Sequence, residues 1–210
     1  MYVVTIDQMN SRNSQDGVPE LLRALKLRLT GNLAPRVPFS RSVGDEIQGV
    51  VNSPAQVYTV FRTLMRVKGW YMGVGVGLVN EPLPKRSADA NGPAFIQARK
   101  AVDDAKKRRG SSPVSVRAED TGRAAEVQAL LRLLGGVLES RTAAAWEAVE
   151  LMSLPDGSPS GLTQADAAAQ LGISVAAVSR RLITASYDEE RAVLPLVARL
   201  LDELNMPLQG

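Results

Sequence analysis

Residues 162–182 read LTQADAAAQLGISVAAVSRRL, and their spacing sets the expectation for the C-terminal third of this 210-residue chain. Thr163 stands where a hydroxyl can cap a helix that ends at Leu171. Gly172 follows, a residue that reaches the left-handed conformation of a helix C-terminus without strain. Ser174 can cap a second helix. Ala168 is small where two helices must cross, and Leu171, Ile173, Val178 and Leu182 form an apolar inside. The spacing therefore predicts a helix-turn-helix over residues 162–185. Its second helix presents Val175, Ala176, Ser179 and Arg180 outward, the group that would enter a DNA major groove. Free backbone N–H groups at that helix's start would meet a phosphate. With the capping residues and the second arginine, the expected DNA-binding set is Thr163, Ser174, Val175, Ala176, Ser179, Arg180 and Arg181.

The pattern LGIS-x-x-x-VSRRL resembles the helix-turn-helix of many bacterial regulators and of sigma-factor region 4 modules. An αα-hairpin used only for packing or dimerisation is the alternative. Residues 161–185 hold two cations, Arg180 and Arg181, against Asp166, so one copy would release few counterions and bind weakly. A homodimer on double-stranded DNA would double the contacts. The last helical stretch carries Val193, Leu194, Leu196, Val197, Leu200, Leu201 and Leu204; this face either joins two copies or closes a core.

Composition limits the chemistry. The chain is 45% hydrophobic and 22% charged, the balance of a soluble globular protein. It has no cysteine and no histidine. Disulfides, thiolate or imidazole metal sites and Ser-His catalysis are therefore excluded, and any metal would sit on carboxylates. The net charge of +3 permits nucleic-acid binding without arguing for it. No stretch approaches the ~18 uncharged apolar residues of a membrane span. The start, MYVVTID, lacks the basic region of a secretory signal. The expected setting is the cytoplasm, with no membrane partner.

Further toward the N-terminus, periodicity predicts strands at residues 2–6, 39–43, 47–51, 70–79 and 115–118 and helices at 18–29, 54–68 and 93–107. Gly44-Asp45-Glu46 reads as a tight turn between two strands. The alternate glycines of residues 70–79 leave one strand face nearly bare, so a backbone or a ligand can come close. The order β-α-β-β-α-β-α-β implies an α/β sandwich. After residue 119 the texture turns helical, with a break expected near Gly135-Gly136 and a loop at 155–161. The expected organisation is an α/β domain over 1–119, a connector helix over 120–139 and an all-α helix-turn-helix domain over 140–210.

Asp7 ends the first strand, and Asp45 with Glu46 sits in the hairpin. If these strands are adjacent, the carboxylates converge at one sheet edge, as a two-metal site requires. The arrangement resembles the class III nucleotide cyclase, GGDEF and polymerase-palm group. More closely, the chain is similar to the SatD family. The residues that carry this likeness are Asp7, Ser11-Arg12, Gly44-Asp45-Glu46-Ile47-Gln48, Gly73-x-Gly75-x-Gly77 and Asn91-Gly92-Pro93-Ala94-Phe95-x-x-Ala98-Arg99. Val43 replaces the first glycine of GGDEF, and Asn91 stands where the family pattern has Asp. The resemblance implies a ferredoxin-like, nucleotide-cyclase-like sandwich followed by a helix-turn-helix. It also implies magnesium with a nucleotide on Asp7 and Asp45 or Glu46, whether turned over or only sensed. The plain alternative is a polar turn and a strand-end cap.

The leading expectation is a DNA-binding transcriptional regulator, not an enzyme, whose N-terminal domain senses a ligand or assembles. The rivals are a magnesium-dependent nucleotidyl cyclase or transferase using Asp7 and Asp45, and a protein-interaction adaptor. Lys100, Lys106, Lys107, Arg108 and Arg109 read either as a solvated helix end or as a second phosphate-contacting patch.

Overall fold

The computed structural model describes residues 1–11, 14–107 and 112–206. Arg12, Arg108 and Arg109, read above as parts of a motif and a basic patch, lie outside the described residues. The others form a five-stranded sheet and eight α-helices. Strands β1 (Tyr2–Gln8), β2 (Val37–Arg41), β3 (Glu46–Val51), β4 (Trp70–Val76) and β5 (Val114–Arg117) lie in the order β2-β3-β1-β4-β5. Every neighbouring pair is antiparallel except β4 with β5.

Alternation along β1 builds the two layers. Tyr2, Val4 and Ile6 point to one face, paired across the ladder with Val51 and Ile47 of β3 and with Val76, Val74 and Met72 of β4. On that face they bury against helices α1 (Val18–Arg28), α2 (Pro54–Val67), α4 (Thr121–Glu139) and α8 (Tyr187–Asn205). Val3, Thr5 and Asp7 point the other way, toward helix α3 (Pro93–Lys107). Helix α2 starts as its sequence dictates: Ser53 Oγ accepts from Gln56 N at 3.3 Å, and Gln56 Oε1 accepts in return from Ser53 N at 3.0 Å.

The bare strand face has an occupant. A Cβ at Gly73 would lie 2.3 Å from Val102 N, and one at Gly75 would lie 2.2 Å from Ala94 O and Ala98 N. The glycines of β4 therefore admit the backbone of α3, and the close approach read from the sequence is helix against strand. At the far side of the sheet, side chains of α4 cap part of the β5 edge. Gln128 Oε1 of α4 accepts from Val116 N at 3.1 Å, and Arg132 Nε one turn on donates to Val114 O at 2.9 Å.

Three local expectations change. Strand β2 covers 37–41, not 39–43, and the hairpin closes through Ser42 N to Glu46 O at 2.9 Å. Glu46 is thereby the first residue of β3, set by cross-strand pairing with Asp7 and not by the turn. Strand β4 ends at Val76, before the positive φ of Gly77. Helix α4 runs unbroken through Gly135-Gly136. Gly135 is a contact position, since a Cβ there would meet Ser112 Oγ at 2.0 Å.

A second apolar cluster joins α5 (Ala143–Met152), α6 (Gln164–Leu171) and α7 (Val175–Thr184) through Ala145, Ala148, Val149, Ala167, Ala168, Val178 and Leu182. Helix α8 serves both clusters. Its Tyr187 belongs to the second, while Val197, Leu201 and Leu204 are buried in the first. Most of the apolar face read above as a dimer surface or a core is thus occupied within the chain, while Leu196 stays exposed. Between the clusters lies a buried ionic joint. Glu190 of α8 meets Arg62 of α2, with Nε to Oε1 2.9 Å, and Arg141 just before α5. No helix among the described residues is long and apolar enough to cross a membrane.

Candidate nucleic-acid interface

Helices α6 and α7 are defined by their ends. Thr163 Oγ1 accepts from Asp166 N at 3.2 Å, and Asp166 Oδ2 accepts from Thr163 N at 2.8 Å and from the Thr163 hydroxyl at 2.6 Å. The hydroxyl bond from Thr163, then the bond from its backbone N–H, holds the Asp166 carboxyl below its usual value of 3.8. Gly172 ends α6 at φ 65°, and Ile173 N returns to Ala168 O at 3.1 Å. Ser174 Oγ accepts from Ala177 N at 3.2 Å and starts α7. The hydroxyls of Thr163 and Ser174 are therefore engaged as caps; what they leave facing outward is the first-turn backbone.

One side of α7 is fixed inward by Val178, fully buried, and Leu182. The opposite side is open. Val175 is 48% exposed, Ala176 and Arg180 are exposed, and Ser179 is half-buried on the flank. The two arginines separate here. Arg180 makes no ion pair or hydrogen bond among the described residues. Arg181 Nη1 reaches Glu147 Oε2 at 3.2 Å and Ala144 O at 3.3 Å, both on α5. Arg181 thus ties α7 to α5, and its charge is already partnered.

Sequence reasoning missed two features of this surface. Ile183 is 73% exposed at the open side of α7; its helical spacing from Ala176 and Arg180 was there to find it. Arg191 of α8 lines a cavity of about 430 Å³ with Gln164, Ser179 and Asp188. That cavity joins segments distant in sequence, so no local pattern announces it.

The acidic residues of the sheet form a separate cluster. Asp7 and Glu46 are directly opposed across β1 and β3, on the face under α3. Each has a cation from that helix. Lys106 Nζ lies 2.6 Å from Asp7 Oδ2, and Arg99, two turns earlier, pairs with Glu46 Oε2. Ser42 Oγ donates to the other Glu46 oxygen at 2.6 Å. Asp45 is half-buried in the hairpin loop with no hydrogen bond or ion pair among the described residues. Of the remaining basic residues, Lys107 stands 4.0 Å from Asp104, and Lys100 is exposed. Among the described residues no three carboxylates gather closely enough to hold a metal ion.

A sequence model of the SatD family matches residues 3–188. The match covers the sheet, the acid pair, α6 and α7. No curated protein and no solved structure matches the chain.

Proposed function

The chain belongs to the SatD family, and from that premise we propose that it is a DNA-binding regulator in which α6 and α7 act as a helix-turn-helix. The observation that carries this reading is the placement of α7. Its Val178 and Leu182 side is buried, while Val175, Ala176 and Arg180 stand free on the outside. A helix held that way offers its first turns to a major groove and its N-terminal amides to a phosphate. With Arg181 tied to Glu147, each copy brings few free cations. Two copies on double-stranded DNA in the cytoplasm complete the reading.

The β1-α1-β2-β3-α2-β4 order, with β2-β3-β1-β4 wholly antiparallel, supports a ferredoxin-like, cyclase-like reading of the sheet module. A magnesium-dependent nucleotidyl reaction on Asp7 and Asp45 finds less support. Asp7 and its opposed Glu46 are neutralised by Lys106 and Arg99, and α3 lies over them. The sheet module in this reading senses or assembles.

The test is binding to fluorescent duplex fragments, including the chain's own promoter region, across a salt series. Sequence-selective binding that weakens in Arg180→Ala supports the regulator. Uniform binding to all fragments, unchanged in that variant, overturns it in favour of an adaptor.

A further inference from the structure

If the sheet module senses a ligand, the cation-filled acid pair is a poor place for it, and the structure offers a better one. Between α1 and β2 lies an open cavity of about 580 Å³, within the roughly 300–1,000 Å³ of small-ligand sites. Leu22 and Leu25 of α1, with Leu29 just past its end, form one wall. Phe39 of β2 forms the other. Its ring lies against the bare backbone of Gly49, where a Cβ would stand 2.7 Å away. Pro35 and Pro38 flank it and fix φ at two points of the segment, so the wall is formed before any ligand arrives.

The rim is cationic. Arg23 and Lys26 line the same cavity, both exposed, and neither makes an ion pair or hydrogen bond among the described residues. Of the arginines nearby, Arg28 is tied to Glu150 at 2.7 Å and Arg41 to Asp16 at 2.5 Å, while Arg36, between the two prolines, is exposed. Among the described residues no acidic side chain lines the cavity. An apolar slot with two free cations at its mouth is complementary to one chemistry, an apolar body that ends in an anion.

We propose that the α1–β2 cavity binds an amphipathic carboxylate, its apolar part between Leu22 and Phe39 and its head between Arg23 and Lys26. The guanidinium of Arg23 suits a planar carboxylate, which it can hold through two parallel N–H···O bonds. Arg28, on the same helix, is bound to Glu150 of α5, and α5 holds Arg181 of α7 through Glu147. The site thereby gives the sensing role a ligand; in that respect it rests on the regulator reading, although the binding itself does not.

The experiment is titration calorimetry of the full chain with decanoate, decanol and decylammonium, each below its micellar range. Decanoate should bind one to one, with decanol about tenfold weaker, which corresponds to ~1.4 kcal/mol, and decylammonium weaker still. Arg23→Gln with Lys26→Gln should erase the preference for decanoate without shifting the melting temperature, since both side chains are exposed. Leu22→Glu, which puts a like charge in the slot, should abolish decanoate binding. No heat with decanoate, or equal binding of all three probes, overturns the proposal. Because heat and not DNA is read, failure here leaves the DNA reading untouched, and failure of the DNA reading leaves this site untouched.

Discussion

Arg141 Nη2 and Glu190 Oε2 lie 2.8 Å apart with their side chains 0% and 1% exposed. The pair is close enough for charge attraction, but out of line for a hydrogen bond. The geometry is completed by others. Arg62 donates to the second oxygen of Glu190, Tyr58 donates its hydroxyl to the same oxygen, and Arg141 Nε donates to Ala185 O at 2.7 Å. Burial, then the charge of Glu190, pushes the Tyr58 hydroxyl well above its usual ionisation range. The Trp146 ring lies beneath Arg141 and Arg62, at 4.9 and 5.4 Å from centroid to guanidinium.

Removing the shared anion should therefore be costly. Glu190→Ala leaves two buried guanidinium groups without a counter-charge, and is expected to lower stability by about 3–5 kcal/mol. Urea denaturation followed by Trp fluorescence measures it. A loss below about 1 kcal/mol would mean that the joint is hydrated and loosely packed.

The separation of the two arginines on α7 predicts opposite phenotypes. Arg180→Ala should leave the melting temperature unchanged and reduce the salt slope of DNA binding by about one for each copy bound, the share of a single cation on a phosphate. Arg181→Ala should instead lower stability by up to about 1 kcal/mol, the range of a partly exposed ion pair. Anisotropy titrations paired with thermal melts separate the two. Equal effects of both substitutions on DNA affinity alone would show that Arg181 leaves Glu147 to contact DNA.

Glycines test the packing of α3. Gly75→Ala places a methyl group 2.2 Å from Ala94 O and Ala98 N, which are backbone atoms that cannot rotate away. Lifting α3 should cost on the order of 1–3 kcal/mol or more. Gly136→Ala meets nothing within 4 Å inside a continuous helix, and should add roughly 0.5–1 kcal/mol. Chemical denaturation of the pair decides whether close approach or local propensity governs each site.

Acid should loosen the start of α6. The Asp166 carboxyl is held below its usual 3.8 by Thr163, so its ionised form binds better in the folded state. The contribution is full above the unfolded value and is lost as pH falls through the folded one. In an NMR titration the Thr163 amide should move with a midpoint below 3.8. A midpoint at or above that value would mean that the capping box is not formed in solution.

Much of the local structure was legible because it is written in short-range chemistry. A short apolar run marked β1, helical spacing marked α1, and the caps at Thr163, Gly172 and Ser174 fall where hydroxyl and glycine placed them. What escaped the sequence is long-range. Glu46 entered the strand because its partner Asp7 set the register. The bare face of β4 met α3 because the chain returns across the sheet. Arg181 looked free until α5 brought Glu147 beside it. The cavity at Phe39 joins a helix and a strand whose meeting no periodicity encodes.

Helix α8 has a mechanical consequence. With Tyr187 anchored in one cluster and Leu201 and Leu204 in the other, it works as a beam set into two walls. A twist of α7 bears on the same beam that presses the sheet, and heat cannot release one wall while the other holds its end. The chain should accordingly melt as a single cooperative body, and clipping the last turn of α8 should slacken the far end, beside α7, as well as the near one.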